Sequence, residues 1–265
     1  MIDTNIFQDT KAHRIVDSMG PFSVLEYERD MSVRPEEAEL AYFASEMDVR
    51  KRQLVAEIRR DRSVIAQKGT MQLMIGGVTA QTDVSDAGDL VKKFVGGKVT
   101  GEKGIKPRYS GEGLLILEPS FRYIILECLK DWPGGLIVED GMFLACEGNT
   151  ELQVAARQNV SSAVLGREGL FNTVMKGIGV IALESPVPRD ELLEINVKDD
   201  VVRIDGNMAI AWSAELRFTV ERTTPTLVGS MMSGEGLVNT YRGTGRILVA
   251  PVRENRGIPG PDNKK

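Results

Sequence analysis

The sequence predicts a mainly β protein whose body is three similar units set around a pseudo-threefold axis. Three observations predict it. Most of the chain outside two helices reads as strand, one glycine-centred motif occurs three times, and a second motif recurs in step with the first.

Alternation is clearest from Asn207 to Glu221. Met208, Ile210, Trp212, Ala214, Leu216, Phe218 and Val220 share one parity, while Asn207, Ser213, Glu215, Arg217, Thr219 and Glu221 fall on the other. A period of two over that length makes a half-buried antiparallel strand, bent near its middle, because a helix would scatter these side chains around its circumference.

The first motif is two apolar residues, three more residues, a glycine, and an apolar residue two beyond it. It reads Val64-Ile65 to Gly69 and Met71, Leu136-Ile137 to Gly141 and Phe143, and Val201-Val202 to Gly206 and Met208. In the last two the glycine follows Asp140 and Asp205, a pair favoured in two-residue hairpin turns, so three hairpins are expected. The second motif is Glu112-Gly113-Leu114, Glu168-Gly169-Leu170 and Glu235-Gly236-Leu237. The latter two run on through Gly177 and Gly179, or Gly243 and Gly245, into apolar strands ending near Pro186 and Pro251.

Two helices interrupt the strands. Pro35 opens one, with Glu36 and Glu37 in the first turn where the helix dipole favours negative charge. Leu40, Phe43, Ala44 and Met47 follow with the spacing of a single apolar face. A short inserted helix starts at Asp86, with Asp89 completing a partial capping box, buries Leu90, Phe94 and Val95, and stops at Gly96-Gly97. The expected organisation is an N-terminal extension with a helix (1–52), a triplicated β domain (53–252, units about 53–129, 130–188 and 189–252) and a polar tail (253–265).

Composition narrows function. The 265 residues carry 33 Lys and Arg against 38 Asp and Glu, a net charge of −5, which disfavours a nucleic-acid partner that must neutralise phosphate. His13 is the one histidine, which leaves little room for histidine acid–base chemistry or a histidine metal site. Two cysteines cannot build a disulfide framework: Cys128 falls in an apolar strand and reads as buried, while Cys146 lies beside Glu147-Gly148-Asn149 and reads as accessible. No signal peptide or transmembrane segment is evident, so a cytoplasmic protein is expected, with a peripheral membrane or protein partner left open.

The triplication resembles the family named for altered inheritance of mitochondria, number twenty-four. The resemblance covers about Gln53 to Pro251 and is carried by Glu112–Leu117, Gly169–Pro186 and Gly234–Pro251. It implies a double-stranded β-helix fold like that of the trp RNA-binding attenuation protein, three times in one chain. Mitochondrial members are associated with inner-membrane organisation, and the family supplies no catalytic residues to carry over. The segment before Gln53 departs from its pattern.

No catalytic or metal site and no cofactor is expected. Gly96-Gly97-Lys98 lacks the earlier glycine of a phosphate loop, and Gly243-Thr244-Gly245 lacks the third glycine of a dinucleotide loop, so both read as tight turns between strands. Arg50, Lys51, Arg52, Arg59, Arg60 and Arg62 interleave with Glu46, Asp48, Glu57 and Asp61, as on a solvated, salt-bridged strand face. Glu112, Glu168 and Glu235 would be equivalent about the axis, either as a cation-binding ring or as caps accepting backbone N–H groups in turns.

These readings favour a non-enzymatic β scaffold that self-associates as a homo-oligomer. The alternative is a small-molecule or ion-binding module using clefts between the units, and RNA binding is disfavoured by the acidic charge. Leu40, Phe43 and Met47 are each worth about 1.5–3 kcal/mol when buried, so the helix is expected to cover an edge of its own chain or to pack on a neighbour.

Overall fold

Strands make up most of the chain, described in a computed structural model over residues 2–29, 31–82, 106–156, 171–222 and 237–252. In order these are β1 (His13–Met19), β2 (Phe22–Tyr27), a 3₁₀ turn (Pro35–Glu37) running into α1 (Ala38–Glu46), β3 (Arg52–Ile58), β4 (Val64–Ala66), β5 (Met71–Gly76) and β6 (Thr79–Gln81). Then come β7 (Arg108–Ser110), β8 (Gly113–Leu117), β9 (Tyr123–Cys128), β10 (Leu136–Val138), β11 (Phe143–Glu147) and β12 (Glu151–Ala156). The last are β13 (Phe171–Lys176), β14 (Val180–Ser185), β15 (Leu193–Asp205), β16 (Ala209–Ser213), β17 (Arg217–Arg222) and β18 (Leu237–Val249). The helix expected from Asp86 lies outside the described residues.

The strands make three antiparallel sheets, ordered β1-β2-β3-β8-β5, β6-β7-β4-β11-β14-β9 and β12-β13-β10-β16-β18-β15, with β17 also paired to β18. They fall into two compact bodies that interleave in sequence: Met1–Asp131 with Phe143–Glu151 and Gly177–Ser185, and Trp132–Met142 with Leu152–Lys176 and Pro186–Lys265. In the first body Phe22, Leu54, Ile58, Val64, Leu115, Leu117 and Val180 form one continuous apolar core. In the second, Trp212 stacks on Phe218 and meets Tyr241 edge-on at 5.3 Å, within a core that includes Ile204 and Ile247.

Four expectations change. The segment before residue 53 is not a helix alone. β1 and β2 form a hairpin that pairs through β2 onto β3, with Phe22 opposite Ala56, so the extension is built into a sheet. The long alternating run is two strands, β16 and β17, separated by a turn in which Leu216 N–H donates to Ser213 O at 3.1 Å. Gly243 and Gly245 sit inside β18, where its register with β15 shifts, and not in a turn between strands.

The fourth concerns the glycine turns. Gly69 and Gly141 do hold φ of +82° and +80°, and each lies in a four-residue turn closed by Thr70 N–H to Gln67 O or Met142 N–H to Glu139 O. Yet β4 and β5 belong to different sheets, as do β10 and β11, and β15 and β16 flank β18 without pairing to each other. These turns are corners that carry the chain to a new partner strand. An Asp-Gly pair fixes the local reversal, but whether the flanking strands then pair is decided by what packs against them.

The pairings beyond the corners recur. Met71 faces Leu117, Phe143 faces Leu183 and Ala209 faces Val249, each with a bulge one residue later. Eight residues before those partners, Tyr109 faces Val64, Met175 faces Leu136 and Tyr241 faces Val202. By this register Gly206 corresponds to Asp140 and not to Gly141, one residue away from the motif's own spacing.

Candidate functional site

Helix α1 carries a cluster of exposed apolar side chains in the first body. Its inward face is made of small residues: Ala41, Ala44 and Ser45 are half-buried, and Ser45 Oγ donates to Glu28 O at 3.1 Å. Leu40, Phe43 and Met47 are 76%, 57% and 75% exposed, and no residue of α1 is buried. The expected apolar face is therefore rotated outward by about one residue. A helix that rests on the chain through alanines and a serine approaches closely, and its large side chains then point outward.

Between α1 and the ends of β2 and β3 lies a groove of about 580 Å³, whose lining includes Tyr27, Val33, Leu40, Val49 and Phe121. Glu28 and Arg50 of its lining belong to a charge cluster at the ends of β2 and β3. Glu26, with its side chain 9% exposed, meets Arg52 at 2.7 Å, Arg50 at 3.1 Å and Arg14 at 3.5 Å. Glu28 takes Arg50 at 2.8 Å and Arg14 at 2.5 Å. The Arg52 guanidinium, 5% exposed, also donates to Asp48 O and stacks 3.9 Å from the Tyr123 ring centroid. The arginines were expected to be solvated. Arg50 and Arg52 are instead enclosed, because Arg52 stands opposite Glu26 in the β2–β3 pairing and Arg50, just before β3, reaches the same carboxylate. Tyr27 O–H donates to Gln53 Oε1 at 2.7 Å, and burial pushes its pKa up against a smaller opposing pull from Lys51. Alternation of Leu25 and Tyr27 with Glu26 and Glu28 was the available signal for this strand.

Glu112 sits in a different place, on the surface. Its carboxylate meets Arg60 Nε at 3.0 Å with both side chains largely exposed, and its carbonyl accepts Gly77 N–H at 2.8 Å. The pair lines a shallow depression of about 630 Å³ with Glu57, Arg59 and Leu114. Gly113 is required by geometry: a Cβ there would lie 1.9 Å from Ile75 O, at φ +150°. Glu168 and Glu235 lie outside the described residues, so the three glutamates are not brought together among them. No group of three His, Cys, Asp or Glu placed to hold a metal ion occurs among the described residues.

The cysteines exchange their expected roles. Cys146 is fully buried in β11, and burial pushes its thiol up to about 12, whereas Cys128 is half-buried. His13, at the start of β1, has its Nδ1 3.2 Å from Thr10 Oγ1. Among the described residues no helix is long and apolar enough to cross a membrane.

Comparison with known proteins places this architecture. An uncharacterised protein of Streptococcus pyogenes serotype M6 is 28% identical over 200 residues, spanning 73% of this chain and 78% of its own length. The X-ray crystal structure of another Streptococcus pyogenes protein superposes with a TM-score of 0.58 at 26% identity, over 77% of this chain and 88% of that one. The model of the mitochondrial biogenesis AIM24 family matches residues 46–252, most of the chain, and the protein belongs to that family.

Proposed function

We propose that the protein is a non-enzymatic β scaffold of three similar β units, and that it self-associates through α1. The carrying observation is the exposure of Leu40, Phe43 and Met47 beside the groove. Apolar side chains of this size on one short helix are worth several kcal/mol when removed from water, and a second copy of the chain supplies a matching surface. The recurrent corner-and-bulge pairings support the three-unit reading and the double-stranded β-helix architecture. A cytoplasmic location goes with this reading.

Light scattering tests it. The full chain runs as an oligomer, and Leu40→Glu/Phe43→Glu/Met47→Glu reduces it to a monomer with an unchanged circular dichroism spectrum. A monomeric full chain overturns the reading. Point variants are the right probe, since deleting residues before Gln53 would strip β1 and β2 from the sheet and uncover Val55 and Ile116.

The groove favours a second reading, a small-molecule site. Its volume of about 580 Å³ lies in the range of ligand pockets, roughly 300–1,000 Å³, and its lining is mostly apolar. A thermal-shift screen across apolar metabolites, with Phe121→Ala as control, separates the two.

A further inference from the structure

Helix α1 carries two unlike features side by side. One is a ridge: Leu40, Phe43 and Met47, spaced three and four residues apart and all exposed. The other is the groove, whose wall includes Leu40 as well. A surface that holds both a ridge and a groove is complementary to itself. A second copy related by a two-fold axis fills each groove from the other's ridge, which a head-to-tail contact does not.

Charge sets the direction in which two such helices run. Glu36 and Glu37 of the 3₁₀ turn and Glu39 in the first turn of α1 are all exposed, and the last turn has no basic residue. Parallel helices would gather three carboxylates from each copy and align two macrodipoles side by side, and both effects are repulsive. Antiparallel helices set each acidic end beside the other copy's C-terminal end. That end is close to neutral: Asp48 is held by Arg50 at 3.1 Å, and Glu46 is offset by Lys51. The two dipoles then oppose each other, which is favourable.

Register follows from the ridge. The midpoint of Leu40 and Met47 falls between Phe43 and Ala44. A two-fold axis there sets Leu40 against the partner's Met47 and Phe43 against the partner's Phe43, so all three apolar side chains of each copy are covered. A shift of one turn in either direction leaves one of them in water. Met47 is unbranched and suits an irregular gap such as the groove mouth at Leu40.

We propose that two copies of the chain join through α1 as an antiparallel, two-fold pair in this register, the partner's Met47 entering the groove beside Leu40. This deepens the self-association reading and rests on it, fixing a closed dimer where that reading leaves the assembly open.

Disulfide mapping tests it, in chains carrying Cys128→Ser, since Cys146 is fully buried. Leu40→Cys and Met47→Cys chains are purified separately, mixed and mildly oxidised, and each is also oxidised alone. The mixture is expected to give a linked heterodimer, identified by its mass, at a yield at least tenfold above the homodimer of either chain alone. In this register Leu40 and the partner's Leu40 lie about 10 Å apart along the helix axis, beyond the Cα separation of about 4.4–6.8 Å that a disulfide spans. Phe43→Cys alone is expected to link to itself, which reports contact at the ridge with Leu40 and Met47 both intact.

Homodimers of Leu40→Cys and Met47→Cys at the heterodimer's yield, the pattern of parallel helices, overturn the proposal, as does a Phe43→Cys chain that does not link. If Leu40→Glu/Phe43→Glu/Met47→Glu is monomeric while homodimers dominate, the antiparallel pairing alone falls and the α1 reading stands. If the full chain is monomeric, the two fall together.

Discussion

β16 and β5 occupy corresponding places after a glycine corner, with the same bulge against the next strand, and differ in what lies beyond. β16 is held on both sides by β10 and β18, and every residue from Ala209 to Ser213 is buried. β5 is held on one side, and no residue from Met71 to Gly76 is buried. Local sequence makes both of them strands. The second neighbour makes one of them core, and the same distinction between covered and open applies to the charges: Glu26 lies under three arginines, whereas Glu112 meets one at the surface.

The largest expected effect is on the covered strand. Trp212→Ala removes a fully buried indole packed on Phe218 and Tyr241, and is expected to cost about 3–5 kcal/mol by chemical denaturation. Leu73→Ala, half-exposed, is expected to cost below about 1 kcal/mol in the monomer. Equal costs would break the comparison.

Next come the charges. Glu26→Ala leaves the enclosed Arg52 without its 2.7 Å partner and is expected to destabilise by about 3 kcal/mol, at the low end for a buried pair because Tyr123 still stacks on the guanidinium. Glu112→Ala loses an exposed pair, worth about 0–1 kcal/mol, and the unfolding midpoint is expected to move little. Added salt sharpens the test: it weakens the contribution of Glu112 and leaves that of Glu26 nearly unchanged.

A half-exposed pair falls between them. Arg242 grips Glu221 through two bonds, 2.5 and 2.7 Å, and these hold the Glu221 carboxyl down at about 2. A carboxyl whose folded pKa is depressed stabilises the fold above its unfolded value and loses that contribution as pH falls through its folded value. The contribution of Glu221 is therefore full above about 4.5 and fades toward about 2. Its size is expected to stay below about 1 kcal/mol, because solvent screens both side chains. Acid titrations of wild type and Glu221→Gln, followed by circular dichroism, are expected to diverge above pH 4.5 and converge near pH 2.

Period-two alternation sets strand identity through the side chain's own geometry, so the strand character of β16 and β17 was legible without a structure. Pro35 and the two glutamates after it placed α1, since the first turn of a helix needs no partner to favour them. Gly69 and Gly141 announced reversals because only a residue without Cβ accepts their φ at little strain. What the reversals connect was not legible. A turn constrains four residues, while strand pairing is chosen by contacts tens of residues away, and so apparent hairpins became corners between sheets. The same limit rotated α1 outward, since its resting face depends on how closely Ser45 approaches Glu28. It exchanged the two cysteines, because β4 and β14 close over Cys146 from both sides. It enclosed Arg52, whose burial depends on Glu26 and Tyr123, residues 26 and 71 positions away. Sequence determined each element's local form and which residues alternate. Tertiary structure decided which edges are covered, because covering depends on the second neighbour that a strand acquires only when distant segments meet.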